Sequence, residues 1–286
     1  MPELPEVDII KQSLKKTILH KKIRKVLINN KNLRFKLDST FEKNINKTKV
    51  LNVTRKAKYL VINLDNNKFL LMHFGMSGTL HLVRNINNRN TNLSFYKDLK
   101  LPIKHNHVEI FFSKFKLVYN DPRRFGFIKI IDNLEKLKLY FKRLGPEPPE
   151  RRFNLNYIQV KFKHIKKNIK STLLDQNIIS GLGNIYVNEI LFSAGIIPTK
   201  KTHNLKLKNL KDLIIFSKKI LKNAIKKGGS SIRDFQNTSG NKGKFQDEFK
   251  VYGKENTICP RKNCTGKITK IFISNRSTFY CKLCQK

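Results

Sequence analysis

Leu144-Gly145-Pro146-Glu147-Pro148-Pro149 separates two stretches of chain with different periodicities. An amphipathic run, Leu134–Leu144, leads into it and reads as a helix that Gly145 ends. The prolines then fix φ and hold the residues before them in extended backbone, so helix and irregular connector together are expected over 134–150. Strands are expected before this boundary and helices after it, which makes the chain α+β and multidomain.

On the N-terminal side, 1–133, short β-rich runs dominate from Ile23 to Asp132: Ile23–Ile28, Tyr59–Leu64, Phe69–Phe74, His107–Phe112, Leu117–Tyr119 and Phe125–Ile131. Asn, Asp and Gly turns separate several of them, the pattern of an antiparallel sandwich or barrel. Three stretches are too specific to be plain turns: Arg55–Tyr59, His73-Phe74-Gly75-Met76-Ser77-Gly78 and Asn120-Asp121-Pro122-Arg123-Arg124-Phe125-Gly126. Arg84–Lys104 reads as a long Asn- and Lys-rich surface loop. Ahead of the strands, Val7, Ile10, Leu14 and Ile18 share one face of a helix reaching about Leu19.

That helix anchors Met1-Pro2-Glu3-Leu4-Pro5-Glu6. Removal of the initiator methionine makes Pro2 an N-terminal secondary amine, a nucleophile that titrates at roughly pH 8 and is partly uncharged near neutrality. Such an amine attacks a carbonyl-type carbon to give an iminium, and Glu3 beside it is a proton carrier. Taken alone, the six residues fit an exposed leader better, although a leader needs no anchoring helix.

On the C-terminal side, helical patterns cover Asn156–Asn168, Ile169–Asp175, Asn184–Ala194 and Leu205–Lys227 within 151–248. Ile179-Ser180-Gly181-Leu182-Gly183-Asn184 joins two of them; its glycines would leave backbone N–H groups exposed at a helix start, a phosphate seat. A plain helix–turn–helix corner fits equally well. Gly228–Glu248 reads as a flexible loop, and 249–286 as a β-hairpin ribbon with strands Lys267–Ile273 and Thr278–Tyr280 and a tip at Asn275-Arg276-Ser277. Every cysteine lies there: Cys259, Cys264, Cys281 and Cys284, spaced C-x4-C-x16-C-x2-C. Two short-spaced pairs suit one tetrahedral structural Zn2+, whereas two disulfides do not suit an intracellular chain without other cysteines.

The 286 residues carry 60 Lys+Arg against 20 Asp+Glu, a formal +40, which calls for a polyanion and for nucleic acid before a membrane surface. Some of this excess is compositional bias, so it supports nucleic acid without locating the site. No apolar run approaches the roughly 18 residues of a membrane span and the N-terminus is no signal peptide, so a soluble, cytoplasmic protein without membrane partners is expected; a monomer is expected as well.

In order along the chain, Pro2–Val7, Ala57–Leu60, Gly75–Gly78, Asp121–Gly126, Leu144–Pro148, Gly181–Tyr186, Gly228–Phe235, the four cysteines and Asn275–Cys281 resemble bacterial formamidopyrimidine-DNA glycosylase over nearly the whole length. The resemblance implies an N-terminal helix with a β-sandwich, a helix–two-turns–helix domain and a zinc ribbon. It implies a bifunctional base-excision enzyme that removes 8-oxoguanine and formamidopyrimidines from double-stranded DNA and cuts the strand at abasic sites.

By the same resemblance, Pro2 attacks sugar C1′, Glu3 handles protons, Lys58 serves β-elimination and Arg276 δ-elimination. Met76, Arg123 and Phe125 fill the gap left by an extruded nucleotide. His105, Lys166, Asn184 and Arg123 hold DNA, and the 228–248 loop covers the lesion. Asn106 and Asp8 stand where the family usually has Asp and Glu, and Arg84–Lys104 looks longer than usual. The rivals are the endonuclease VIII branch, which Leu4 and the Met76/Arg123/Phe125 set disfavour, and a non-catalytic zinc-ribbon nucleic-acid-binding protein, which leaves Pro2, Glu3 and Lys58 without purpose.

Overall fold

The computed structural model describes residues 2–86, 89–94, 103–230 and 243–286. The chain divides into two compact units, one formed by 1–142 with 227–246, the other by 143–226 with 247–286.

In the first unit, α1 (Leu4–Ile18) starts with a capping box between Glu3 and Glu6 and buries Val7, Ile10, Leu14 and Ile18 completely. Strand β1 (Lys25–Ile28) and a short helix α2 (Phe41–Ile45) follow. The remaining strands are β2 (Val50–Lys56), β3 (Tyr59–Leu64), β4 (Phe69–His73), β5 (Thr79–Ile86), β6 (Arg89–Ser94), β7 (Asn106–Phe111), β8 (Lys116–Asn120) and β9 (Phe127–Ile131). They form two antiparallel sheets, ordered β1-β7-β8-β5-β6 and β2-β3-β4-β9, the expected sandwich.

Strand β3 is almost wholly apolar because it is buried on both faces. Helix α3 (Leu134–Phe141) explains one face: Leu137 packs with Val61, Leu71 and Phe127, and Tyr140 and Phe141 close over them. The helix that reads as part of a connector thus belongs to the sheet's core, because its apolar stripe needs a partner.

Two expectations change. Arg84–Lys104 is not simply a loop, since β5 runs to Ile86 and pairs with β6, Ile86 opposite Arg89 and His81 opposite Ser94. Asn-rich sequence hides such a hairpin because ladder bonds are made by backbone. Residues 95–102 of that stretch, and 231–242 of the Gly228–Glu248 loop, lie outside the described residues. Phe125 is excluded from β9, which starts at Phe127, because the Asp121 loop claims the chain up to Gly126.

The second unit contains α4 (Leu155–Phe162), α5 (Ile169–Leu174), α6 (Asn184–Ser193) and α7 (Leu207–Lys226) with the hairpin β10 (Ile268–Ile273) and β11 (Arg276–Cys281); α6 packs on α5, α7 and β11, and α4 packs on α7. Asn154, Asn168 and Asn133 cap α4, α5 and α3 by accepting from Tyr157, Ser171 and Lys136 amides. Helix α6 is buried nearly all round, and Phe192 at its end shares a core with Val251, Cys259, Ile268, Phe279 and Cys281. Glu189 of α6 accepts the backbone N–H groups of Lys250, Val251 and Tyr252, which fixes where the chain enters the ribbon. Among the described residues no helix is long and apolar enough to cross a membrane.

Burial lowers the imidazoles of His73 and His81 from 6.5 to about 4, with Lys58 and Arg34 adding to the effect at His73. Below pH 6.5 the unfolded chain therefore takes up protons that the folded chain refuses, and stability falls as pH drops towards 4. The expected loss is on the order of 2–3 kcal/mol per ring, read as a lower urea midpoint near pH 4.5 than at pH 7. His81→Gln should flatten part of that slope; an unchanged slope would refute neutral burial of this ring.

Candidate active site

Glu3 is the N-cap of α1, with extended backbone and 2% exposure, so the residue next to Pro2 is held in one place. The clamp is Glu6. One of its oxygens accepts the Glu3 N–H at 3.0 Å, and the other accepts both the N–H and the hydroxyl of Ser230 at 2.9 Å. Gly229 has φ +80°, and a Cβ there would lie 3.2 Å from the same Glu6 oxygen, so the chain can approach only without a side chain. The first helical turn and the root of the Gly228–Glu248 loop thus share one buried carboxylate. Glu6 received no role from the sequence beyond belonging to a motif; the Glu3-x-x-Glu6 spacing of a capping box was the available signal.

Lys58 is buried in the turn between β2 and β3, where Ala57 adopts φ +51°. Arg55 secures this turn: its Nη1 donates to the Ala57 carbonyl at 2.8 Å and its Nε to Asp8 Oδ1 at 3.1 Å. Asp8, on α1, also accepts from Lys11 at 2.8 Å and Gln12 at 2.7 Å. Burial would raise the Asp8 carboxyl, but the Lys11 and Gln12 hydrogen bonds and the Lys11 and Arg55 charges bring it below its usual value. The helix carrying Pro2 and Glu3 is therefore tied by a charged bond to the turn that presents Lys58.

Met76 and Phe125 are each 45% exposed, and Arg123 is exposed with its guanidinium carbon 4.5 Å from the Phe125 ring centroid. A Cβ at Gly75 (φ +56°) would collide with the Phe125 carbonyl and the Gly126 nitrogen, so the two turns touch backbone to backbone. His105 is half-buried beside them, its carbonyl accepting the Asp121 N–H at 3.1 Å.

In the second unit, Asn184 opens α6 and its side-chain N–H donates to the Ser277 carbonyl at 2.9 Å. Ser180–Gly183 are buried and the Gly181 N–H is taken by Gln176 Oε1 at 2.9 Å, so that amide is committed to the corner, while Asn184 at the helix start is half-buried. Lys166 is exposed. Arg276 is exposed as the first residue of β11, while the hairpin tip is Ser274-Asn275, both with positive φ as a two-residue turn requires. This moves the tip one residue back from the expected Asn275-Arg276-Ser277. Lys170, which sequence reading missed, is fully buried and donates to the Ser277 carbonyl at 2.9 Å and the Thr278 hydroxyl at 2.7 Å. Burial, with Arg276 nearby, lowers its ammonium to about 7.

The four cysteine sulfurs lie within 4.8 Å of one another, all unbridged, and two of the pairs are 3.7 Å apart. A tetrahedron with metal–sulfur bonds of about 2.3 Å has edges of about 3.8 Å, so the donors already stand where a metal ion would need them. Burial raises the Cys259 and Cys284 thiols. At Cys281 the same burial is outweighed by the Cys284 and Leu283 N–H groups, which bring it to about 7.

Residues 1–128 match the family model for the formamidopyrimidine-DNA glycosylase N-terminal domain, and residues 144–236 that for the formamidopyrimidine-DNA glycosylase H2TH domain. The chain is 36% identical over 287 residues to the formamidopyrimidine-DNA glycosylase of Neisseria meningitidis serogroup A / serotype 4A. It is 38% identical over 287 residues to that of Wolbachia pipientis subsp. Culex pipiens; both alignments cover 100% of each chain. Solved structures of Lactococcus lactis Fpg superpose over 100% of both chains at 32% identity: a mutant with Fapy-dG containing DNA at TM-score 0.87 and the protein with abasic-site DNA at 0.86.

Lys170→Met should keep the buried volume while releasing the Ser277 carbonyl and Thr278 hydroxyl. Amide hydrogen exchange at Ser277–Phe279 is expected to accelerate about 10-fold or more, with the first unit unaffected. Unchanged exchange would show that Lys170 does not hold the hairpin.

Proposed function

The chain belongs to the formamidopyrimidine-DNA glycosylase family, and we propose that it excises oxidised purines through a Schiff base at Pro2 and then nicks the strand by β,δ-elimination. It is a DNA glycosylase of base excision repair. The observation that carries the finer reading is the fixed start of α1. Glu6 immobilises Glu3 beside Pro2, and Asp8 and Arg55 tie the same helix to the Lys58 turn.

The substrate is duplex DNA bearing 8-oxoguanine, a formamidopyrimidine or an abasic site, and the nucleotide has to be turned out of the stack before a protein group can reach it. The free Pro2 nitrogen then bonds to C1′ as the glycosidic bond breaks, and Glu3 carries protons as the base leaves and the sugar ring opens. The iminium acidifies C2′–H; its loss expels one phosphate by β-elimination and δ-elimination expels the other, leaving a one-nucleotide gap. Lys58 donates the proton for the first cut. Arginine stays charged in water, so Arg276 grips a phosphate while aiding the second. Met76, Arg123 and Phe125 occupy the vacated gap, and His105, Lys166 and Asn184 hold the backbone.

The functional division follows the chain: 1–133 for chemistry, with helix α3 of 134–150 packed on its sheet and the prolines after it as the connector, 151–248 for DNA holding with 228–248 over the lesion, and 249–286 as the finger. Zinc fits the ribbon because its four donors are thiols with tetrahedral spacing, and the metal supplies folding energy that so small a hairpin lacks. The enzyme acts as a cytoplasmic monomer.

Borohydride is expected to trap the processed protein on 8-oxoguanine duplex, with no cross-link when Met1 is retained; failure of the processed protein to cross-link rules out the Schiff base. Glu3→Gln should lower excision about 100-fold or more while leaving DNA affinity within several-fold. Metal analysis should return one zinc per chain, and active protein without zinc would refute the ribbon's ligand set.

A further inference from the structure

We infer that Asp121 is a positioning residue, a buried carboxylate that holds the Met76 turn and the Arg123–Phe125 loop at the spacing needed to enter the duplex; the inference rests on the gap-filling role proposed for those three side chains. Asp121 itself reaches no substrate, being 0% exposed.

Its two oxygens take three donors from different parts of the unit. Oδ1 accepts the Ser77 hydroxyl at 2.5 Å; Oδ2 accepts the Gly126 N–H at 2.8 Å and the Tyr119 hydroxyl at 3.4 Å. The Ser77 oxygen in turn accepts the Arg123 N–H at 3.2 Å. Met76 and Phe125 are thus each one residue from a bond to this carboxylate, and Arg123 is one hydroxyl away from it. The main chain of Asp121 is fixed as well. Its N–H donates to the His105 carbonyl at 3.1 Å, and its carbonyl accepts from His107 Nε2 at 2.8 Å, which must carry the proton because a carbonyl only accepts.

A carboxylate suits this site better than an amide. Asparagine offers one accepting oxygen where Asp121 offers two, so with that oxygen on the Gly126 N–H it turns an N–H towards Ser77, whose hydroxyl must then accept and give up the donor bond that sets the present spacing. The turns meet at backbone distance, where Gly75 and Gly126 leave no room for a Cβ, so a small change in the carboxylate's bonds alters their separation directly. Met76, Arg123 and Phe125 are exposed and cannot hold that separation themselves.

The test reads duplex opening directly. In a Glu3→Gln background, which stops chemistry, saturating protein is bound to an 8-oxoguanine duplex with 2-aminopurine beside the lesion. The parent should raise the fluorescence as the stack opens, Asp121→Asn should lose most of the rise, and Ser77→Ala, which buries no new group, should lose part of it. With Glu3 intact, Asp121→Asn should cut excision about 10- to 100-fold on a fully paired duplex. Most of that loss should disappear when the nucleotide opposite the lesion is omitted, since no partner base then has to be displaced. An equal loss on both substrates, or an undiminished fluorescence rise in Asp121→Asn and Ser77→Ala, overturns the inference. A parent that gives no rise overturns instead the gap-filling role of Met76, Arg123 and Phe125, and the inference with it.

Discussion

The Glu6 carboxylate carries more of this structure than its size suggests. It satisfies the Glu3 N–H, one of the unpartnered donors at the start of α1, and with its other oxygen it fixes Ser230. A terminal residue is ordinarily the least ordered part of a domain, and the amine proposed to meet one sugar carbon could not work from a frayed end. Capping converts the terminus into the rigid first turn of a helix whose Val7, Ile10, Leu14 and Ile18 are fully buried. Every role proposed for Pro2 and Glu3 presupposes that cap.

The second unit solves a different problem with similar means. A hairpin of two six-residue strands cannot order itself by burial alone, and here it is held by polar groups from the helices. Asn188 accepts the Phe279 N–H at 2.8 Å, and Asn184 and Lys170 both donate to the Ser277 carbonyl. All three bonds fall within the three residues after Arg276, so the helices fix the strand from which that arginine projects. A buried lysine is a costly way to do this, and its ammonium lowered to about 7 records the cost. The bonds it makes to Ser277 and Thr278 recover part of what desolvation takes.

The sequence made the elements that depend on local chemistry legible. The helix face of α1, the proline connector, the strands with β-branched runs and the cysteine spacing each encode their structure within a few residues. What stayed hidden depends on partners far along the chain. Arg55 is a basic residue in a strand until Asp8, 47 positions earlier, meets it; Ser77 and Asp121 are 44 apart; Lys170 and Ser277 are 107 apart. Hairpin β5–β6 escaped because Asn-rich strands leave no apolar alternation to read. At the Ile179–Asn184 corner the sequence left two readings open, because glycines that permit exposed amides equally permit close packing, and Gln176 takes the Gly181 donor.

The net charge of +40 and the site describe different quantities. A diffuse positive field raises encounter with any polyanion and fades with salt, but it does not choose a nucleotide. Choice needs groups held in fixed positions. Glu3, Glu6, Asp8, Asp121 and Glu189 are acidic and buried in a protein with only 20 acidic residues. Each of the last four accepts two or more hydrogen bonds from separate positions on the chain. The donors that converge on these carboxylates fix their positions in a way that a diffuse surface charge does not.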